Sequence, residues 1–231
     1  MINEYDGWEL SSFDDANNFR KLQISKIKKY IYKSNLLDIG SGNGGLINYY
    51  WHETKNITIF EPSKKLNKKI RIKFKNKKIK ILLKKPRLKK KYDVILYMDV
   101  IEHIKDYDSE IKSILKNLKH NGYLIINVPA FNFLYTDFDK SVGHTKRFIK
   151  KDLENLSKKH ALKLKLIEYY DIIGFFLIFI SKFIFQSHLK SKNVSRNIKI
   201  WNALIPFSKF LDKVFLNSLG KSLICVLQKN T

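Results

Sequence analysis

The feature that most constrains this chain is an apolar run that is interrupted by an acid and followed by alternating glycines, Leu36-Leu37-Asp38-Ile39-Gly40-Ser41-Gly42-Asn43-Gly44-Gly45. A run of this length predicts a buried strand, and the glycines predict a tight turn at its end. Glycine tolerates a positive φ and has no Cβ, so a ligand can approach the backbone of such a turn closely. The segment therefore predicts a strand and turn that hold a nucleotide-like cofactor.

Composition predicts a folded protein with one main domain. The 231 residues, of which 44% are hydrophobic and 13% aromatic, are enough for a full core and a small appendage. The single cysteine, Cys225, excludes an internal disulfide framework and a cysteine-based zinc site. The first thirty residues carry charges throughout and no apolar segment of a signal peptide, so we expect a cytoplasmic protein.

The positive charge of the chain is large and unevenly spread. The formal net charge is +24, and the residues between Ser63 and Tyr92 include many lysines and arginines but no acid. Such a run is typical of a solvated surface, and it is equally compatible with a patch for an anionic partner such as lipid headgroups, an acidic glycan or RNA. Only five of the basic residues are arginines, which argues against a dedicated phosphate reader.

Seven short apolar segments predict strands, and most of them are separated by segments with helical spacing. The predicted strands are residues 35–39, 57–60, 79–83, 92–97, 123–128, 162–169 and 222–228, and the predicted helices are 17–33, 46–51, 64–74, 111–118 and 150–160. Strands that alternate with helices of about a dozen residues form parallel sheets. We therefore predict an α/β fold with a seven-stranded, mostly parallel sheet and helices on both faces.

Residues 172–220 depart from this alternation. The segment 172–185 is almost entirely apolar, and 201–216 is a second apolar-rich stretch. The first is shorter than the roughly 20 residues that span a bilayer. We predict a helical insertion, residues 172–220, in a cofactor-binding domain made of residues 1–171 and 221–231. Three interpretations remain: a lid over an apolar acceptor, a surface that enters a membrane interface, or ordinary helices packed on the domain.

The glycine turn alone does not identify the cofactor. The segment from Gly40 to Gly45 satisfies both the dinucleotide pattern G-x-G-x-x-G and the pattern D-x-G-x-G-x-G that begins at Asp38. An acid at the strand end opposes a pyrophosphate but favours the cationic sulfonium and ammonium groups of S-adenosylmethionine (SAM). Glu61, at the end of the second strand, can accept both ribose hydroxyls of either cofactor.

Several ordered motifs resemble those of class I SAM-dependent methyltransferases. They are Leu37-Asp38-Ile39-Gly40-Ser41-Gly42-Asn43-Gly44, Phe60-Glu61-Pro62-Ser63, Tyr92-Asp93-Val94-Ile95 with Asp99-Val100-Ile101-Glu102-His103-Ile104, and Asn121-Gly122-Tyr123-Leu124-Ile125-Ile126-Asn127-Val128-Pro129. The segments around Phe13 to Arg20 and Gly143 to Phe148 resemble a bacterial subgroup whose acceptors are mostly unassigned. The resemblance covers most of the chain.

This resemblance implies a Rossmann-like sheet, SAM as the methyl donor and a defined set of site residues. The residues implied to bind SAM are Asp38, Gly40, Ser41, Gly42, Glu61, Pro62, Met98, Asp99 and Arg20. For Arg20 two interpretations are open: an ion pair with the SAM carboxylate, or a salt bridge with Asp14 or Asp15. One departure is the segment 84–87, Lys-Lys-Pro-Arg, where the family usually has an acid that contacts adenine.

His144 is the candidate catalytic residue. If the acceptor is a hydroxyl, a general base with a pKa near the working pH helps the transfer, and histidine suits that range. His144 follows the fifth strand, at the edge where such sheets bind ligands. A structural histidine is the alternative. Arg147 is expected to orient an acidic acceptor or to pair with Asp137 or Asp139.

Asp99, Glu102 and His103 have a spacing that would bring them to one side of a helical turn. Some ubiquinone-pathway O-methyltransferases, which the chain resembles here, use a divalent ion. A cap at Asp99 and a cofactor pocket lined by the other two residues is the interpretation we favour, so we predict no metal.

Together these features predict a SAM-dependent methyltransferase that O-methylates a small-molecule, lipid-linked or glycan acceptor, in the cytoplasm or peripherally on the inner face of the membrane. An anionic membrane surface is a candidate partner, and nucleic acid is not expected. The alternatives are an NAD-dependent dehydrogenase or epimerase, and a basic membrane- or RNA-binding module with a degenerate cofactor fold.

Overall fold

The computed structural model describes residues 7, 9–86, 90–183 and 194–230. Seven strands in these residues form one sheet: β1 (Asn35–Ile39), β2 (Asn56–Phe60), β3 (Ile79–Leu82), β4 (Tyr92–Met98), β5 (Leu118–Pro129), β6 (Leu162–Tyr170) and β7 (Ser222–Lys229). Their order is β3-β2-β1-β4-β5-β7-β6, and only the pairs that include β7 are antiparallel. The predicted α/β fold with a mostly parallel, Rossmann-like sheet is confirmed.

Eight α-helices lie in the described part of the chain. They are α1 (Leu10–Asp14), α2 (Asn17–Ile31), α3 (Lys64–Lys73), α4 (Tyr107–Ile114), α5 (Asp137–Ser141), α6 (Lys150–Lys159), α7 (Ile172–Phe183) and α8 (Val194–Val214). Short 3-10 turns at Leu46–Tyr49, Trp51–Glu53, Ile101–His103, Leu115–Asn117 and Asn132–Leu134 complete the connections.

The central strands are apolar throughout because both faces of the sheet are covered. Successive side chains of a strand point to opposite faces. Leu36 of β1 therefore packs in a core with Ile27 of α2 and Trp201 of α8, whereas its neighbour Leu37 packs in a second core with Ile111 of α4. All five of these residues are buried.

Two predicted helices differ from the observed elements. Residues 46–51 form two 3-10 turns instead of one α-helix, because the chain must return to β2 within a few residues. The helix predicted over 111–118 ends at Ile114, and Leu118 begins β5 opposite Tyr92. Leu118 is buried as its spacing from Ile111 suggested, but it is buried as a strand residue.

The predicted insertion contains two helices between β6 and β7. Helix α8 packs against α7, α2 and α1, and part of the predicted segment, residues 184–193, lies outside the described residues. Within the described ranges, no helix combines the length and the apolar character needed to cross a membrane. The Lys-rich stretch is described except for residues 87–89.

The sheet brings several chain segments to one edge. The parallel strands β1, β2, β4 and β5 all end there, and the antiparallel β7 begins there, with Ser222 opposite Pro129. Residues that follow β1, β2, β4 and β5 and residues that precede β7 are therefore neighbours, which is the place where such sheets bind ligands.

Candidate active site

The turn after β1 has the backbone that its glycines predict. Gly40 has a φ of +70° and Gly42 a φ of +58°, a region that other residues rarely adopt. A Cβ on Gly40 would lie 2.9 Å from a methyl carbon of Val100, and one on Gly42 would lie 2.9 Å from Leu10. The turn is thus closely packed from the protein side and needs glycine at both positions.

Glu61 at the end of β2 closes this turn. One carboxylate oxygen accepts the backbone N–H of Gly42 at 2.9 Å, and the other accepts the N–H of Ser63 at 2.9 Å. Burial raises the pKa of Glu61 to about 7, although these two hydrogen bonds partly oppose the shift. The neighbouring Pro62 is exposed.

Asp38 is buried beneath the same turn. Its carboxylate accepts hydrogen bonds from the hydroxyls of Ser41 and Tyr50. Burial raises the pKa of Asp38 to about 6, against the lowering effect of both hydroxyls. Two acidic groups therefore stand at the ends of β1 and β2, as the charge of SAM requires.

Asp99 and Arg20 form a second group of charges beyond β4. Asp99 has a φ of +58° and accepts hydrogen bonds from Asn127 at 2.6 Å and from Gln23 at 3.3 Å. Arg20 donates to Gln23 at 3.1 Å, and its buried Nε makes no hydrogen bond in the described structure. Among the described residues Arg20 forms no ion pair, and in particular it forms none with Asp14 or Asp15.

These two groups fit SAM. The acids at the strand ends suit its ribose and its cationic centres, and the unpaired guanidinium edge of Arg20 suits its carboxylate. Met98, which ends β4, is half-buried against the core and is not one of the described residues that line the cavity next to this site.

A cavity of about 480 Å³ begins at this site and continues under the insertion. Leu10, Arg20 and Asp99 line its donor end, and Leu10 also contacts the glycine turn at Gly42. Its remaining walls come from α1 and α2, from Glu102 and His103 after β4, from the segment after β5, from α7 and α8 and from the start of β7. A cavity of this size next to the donor residues is the candidate acceptor pocket.

His144 lies in this cavity and is held by Asp139. Its Nδ1 lies 2.8 Å from Oδ1 of Asp139, so the carboxylate accepts and Nδ1–H donates. This arrangement leaves Nε2 as a proton acceptor. The backbone around His144 is fixed by its own N–H, which donates to the carbonyl of Asp139, and by its carbonyl, which accepts the hydroxyl of Tyr135.

Arg147 holds the opposite side of Asp139. Its Nε and Nη2 donate to the two carboxylate oxygens at 2.9 Å, and its Nη1 donates to the carbonyl of Ala130. Burial alone would raise the pKa of Asp139, but the hydrogen bond from His144 and the charge of Arg147 outweigh it and hold the pKa well below its usual range. Of the two predicted roles, Arg147 therefore takes the ion pair, with Asp139.

Glu102 and His103 lie beside His144. Burial, and then the charge of Asp99, raises the pKa of Glu102 well above its usual range. Burial, and then the proximity of His144, lowers the pKa of His103 to about 4. The rings of His103 and His144 meet edge to face with centroids 4.7 Å apart.

Glu102, His103 and His144 are the group of described residues whose side chains could hold a metal ion. Their ligand atoms lie within 4.8 Å of one another, and Nε2 of His144 is 4.0 Å from Oε1 of Glu102. Bonds of about 2.1 Å hold the ligands of one ion at most about 4 Å apart, so the side chains would have to move together first. The absence of a metal stays a prediction, and Asp99 is not part of this group.

Two residues of the site could not be assigned their roles from local patterns in the sequence. Asp139 was considered only as a partner of Arg147, although it also holds His144 and caps α5 through Thr136. Lys221, the residue that precedes β7, lines the cavity. Its neighbours Phe19 and Trp201 are far away in sequence, so no local pattern could have revealed it.

Comparison with known proteins was made for sequence and for fold. Residues 17–170 match the family model of a methyltransferase domain. A ubiquinone biosynthesis O-methyltransferase of Pelagibacter ubique (strain HTCC1062) is 29% identical over an alignment of 187 residues, and the match covers 68% of this chain and 78% of the relative.

Two solved structures illustrate the similarity of fold. The N-methyltransferase NodS from Bradyrhizobium japonicum WM9, in complex with S-adenosyl-L-homocysteine (SAH), matches with a TM-score of 0.62 at 12% identity, over 100% of this chain and 95% of that one. A SAM-dependent methyltransferase from Archaeoglobus fulgidus matches with a TM-score of 0.61 at 16% identity, over 97% and 100%.

Proposed function

From the premise that this chain belongs to the methyltransferase domain family and is a SAM-dependent methyltransferase, we propose that it methylates a hydroxyl oxygen of an amphiphilic small molecule. The observation that carries the proposal is the hydrogen bond between His144 and Asp139 in a cavity that begins at the donor residues. A relative named as an O-methyltransferase of ubiquinone biosynthesis supports the same atom class.

His144 acts in this proposal as the general base. SAM supplies an electrophilic methyl group on a sulfonium. Nε2 of His144 would take the proton of the acceptor hydroxyl, and the methyl carbon would exchange its bond to sulfur for a bond to the hydroxyl oxygen, so that SAH leaves. Asp139 keeps the proton on Nδ1 and stabilises the imidazolium that results, and Arg147 keeps Asp139 ionised. Leu10 and the insertion helices exclude water from the reacting groups.

The walls of the cavity argue for an acceptor with an apolar part. Leu177 and Ile178 of α7 and Ile198 and Trp201 of α8 are among the residues that line the cavity. An apolar lining with a few polar groups at one end orients an amphiphile with its hydroxyl towards those groups. Among the predicted acceptor classes, this favours a lipid-linked or other amphiphilic small molecule over a glycan, and it assigns the insertion a role as a lid.

The outer face of the insertion supports delivery of this acceptor from a membrane surface. It exposes several large apolar side chains, among them Phe176, Phe183, Phe207, Phe210 and Leu216. Such a set is larger than the scattered apolar residues that are usual on a monomer. Lysines and an arginine accompany these residues, and the sole acid of residues 172–220, Asp212, is buried. An apolar face with a basic surround matches an anionic bilayer.

The alternatives now stand differently. An NAD-dependent enzyme is replaced by the SAM-dependent family to which the chain belongs. A basic module without catalysis would not need the pair of His144 and Asp139 in a cavity, so we do not favour it. A location on the inner face of the cytoplasmic membrane follows from the proposed delivery.

The test is to identify the methylated product. Protein is incubated with SAM labelled in the methyl group and with either a lipid extract or an aqueous extract of bacterial cells, and labelled products are identified by mass spectrometry. We expect a methyl ether in the lipid extract, formed by wild type and not by His144→Ala. Labelled nitrogen or carbon, or a product found only in the aqueous extract, would contradict the proposal.

A further inference from the structure

Lys221 is fixed at the catalytic edge of the sheet. Its N–H donates to the carbonyl of Asp171 at 3.1 Å, and its carbonyl accepts the N–H of Ala130 at 2.8 Å. The chain is thereby bound on both sides just before β7 begins. The side chain is only 18% exposed and lines the cavity beside Trp201 and Phe19.

The ammonium group of Lys221 makes no hydrogen bond within the described structure. It lies 3.4 Å from the ring centroid of Trp201 and 4.8 Å from that of Phe19, and 3.6 Å from the nearest carboxylate oxygen of Asp171. The last distance is too long for a hydrogen bond. The carboxylate of Asp171 forms an ion pair with Lys221 at this distance, and it also accepts Nε1 of Trp201, the N–H of Gly174 and the hydroxyl of Ser208.

A largely buried ammonium with unused donors is unfavourable unless a ligand or water supplies acceptors. The aromatic faces and Asp171 favour its charge, and burial lowers the pKa of Lys221 only to about 8, so most of the group is charged at neutral pH. The ammonium group is therefore held in place by its neighbours, but its N–H donors have no hydrogen-bond acceptor in the described structure.

The two arginines that line the cavity, Arg147 and Arg20, have different partners from Lys221. Arg147 is saturated by Asp139 and the carbonyl of Ala130. Arg20 lies at the donor end, next to Gln23. Of the described cations that line the cavity, Lys221 is the one that is both free of hydrogen bonds and placed beside the apolar wall of α8.

We infer that Lys221 binds a carboxylate of the acceptor and so selects an acidic amphiphile. This inference rests on the proposed function for the identity of the cavity as the acceptor pocket. It adds a second fixed point to the acceptor: the hydroxyl is held at His144 and the anion at Lys221, which orients the molecule for transfer.

The experiment measures binding without turnover. SAH-loaded protein is titrated by calorimetry with 3,4-dihydroxycinnamate and with its neutral primary amide. We expect wild type to bind the carboxylate at least about tenfold more tightly than the amide, as for a charge-assisted hydrogen bond. Lys221→Met should bind the two probes equally, and Lys221→Arg should keep the preference. Lys163→Met, which removes an exposed lysine of β6, is the matched control and should behave as wild type.

The inference is overturned if wild type shows no preference, including the case in which neither probe binds, or if Lys221→Met keeps it. Weaker SAH binding in Lys221→Met with an unchanged probe preference would assign the lysine to the donor carboxylate instead. Because no methyl is transferred, the result does not depend on whether oxygen is the methylated atom. A failure of the base assignment at His144 is therefore distinguishable from a failure at Lys221.

Discussion

Nδ1 of His144 lies 2.8 Å from Oδ1 of Asp139, and the same carboxylate accepts two hydrogen bonds from Arg147. The pair defines which nitrogen of the imidazole can take a proton. We expect His144→Ala to lower kcat by about 10²- to 10³-fold, in the usual range for a general base, because the variant lacks the nitrogen that takes the hydroxyl proton in the proposed mechanism. Initial rates with labelled SAM and the product-forming extract measure this loss.

The control for this prediction is the affinity for SAH. It should stay within about twofold of wild type in His144→Ala, because His144 does not touch the donor residues. Asp139→Asn should also lower kcat, but it leaves the buried Arg147 without its charge partner, so its thermal unfolding must be measured as well. Equal rates for wild type and His144→Ala would contradict the assignment of His144 as the general base.

Cofactor affinity should depend on pH through Glu61. Burial raises the pKa of this carboxyl to about 7 in the free protein, so about half of the molecules carry it protonated at that pH. The ionised form is the better acceptor for ribose hydroxyls and favours the cationic donor. We therefore expect SAH and SAM to bind more weakly as the pH falls below about 7 and to release a proton on binding.

Calorimetry in buffers with different ionisation enthalpies measures that proton. In Glu61→Gln the pH dependence between about 6 and 8 should flatten, and the affinity should be low throughout. Asp38, whose pKa burial raises to about 6, should account for the part that remains at lower pH. A wild-type affinity that is constant over this range would show that Glu61 does not change its protonation on binding.

The turn at Gly40 offers a separate test of backbone strain. In Gly40→Ala the alanine has to adopt a φ of +70°, at a cost of about 1–2 kcal/mol. Its Cβ also lies 2.9 Å from a methyl carbon of Val100. The overpacking adds about 1–3 kcal/mol. We expect a lower free energy of unfolding in urea and weaker SAH binding.

A double-mutant cycle with Val100→Ala separates the two costs. Removing the methyl groups of Val100 leaves the positive φ but opens the space, so Gly40→Ala should cost less in the Val100→Ala background than in wild type. Additive effects of the two changes would mean that the contact does not limit residue 40.

Local patterns in the sequence were enough to predict the strand ends at which the proposed donor residues lie. Asp38, Gly40 and Glu61 lie directly at strand ends, and the topology of parallel strands brings strand ends together whatever the details of packing. The order of strands and helices followed from the same periodicities. The register of Leu118 did not, because a buried residue seven positions along fits a helix and a strand equally well.

The acceptor half depends on contacts between distant segments. The orientation of His144 is set by Asp139 and Arg147, whose side chains meet only after the loop following β5 has folded. Lys221 is separated from Phe19 by almost the whole chain, and Trp201 reaches it from α8. Such groups have no common spacing, so the sequence indicates their presence but not their assembly.

Removal of divalent ions should not affect catalysis. In the proposed mechanism His144 takes the proton of the acceptor, so no Lewis acid is required, and burial raises the pKa of Glu102, which disfavours the carboxylate form that a metal ion needs. We expect protein treated with EDTA and then freed of it by gel filtration to keep its rate within about twofold. A loss that Mg²⁺ or Zn²⁺ restores would instead assign Glu102, His103 and His144 to a metal.

The exposed face of α8 should determine binding to membranes. Phe207 and Phe210 are 56% and 61% exposed and lie near Lys209 and Lys213. Burial of one such ring in the interface contributes about 1.5–3 kcal/mol when complete, so the double variant Phe207→Asp with Phe210→Asp should weaken binding at least about tenfold. Sedimentation with phosphatidylglycerol vesicles measures it.

The matched control is Tyr32→Asp, which removes an exposed aromatic residue at the end of α2, away from the insertion. It should bind vesicles as wild type does, and both proteins should keep their SAH affinity. Binding should fall when the salt concentration is raised and when phosphatidylcholine replaces phosphatidylglycerol, because the lysines contribute through charge. If the double variant sediments with the vesicles like wild type, or if wild type does not sediment at low salt, the apolar face of α8 does not bind lipid.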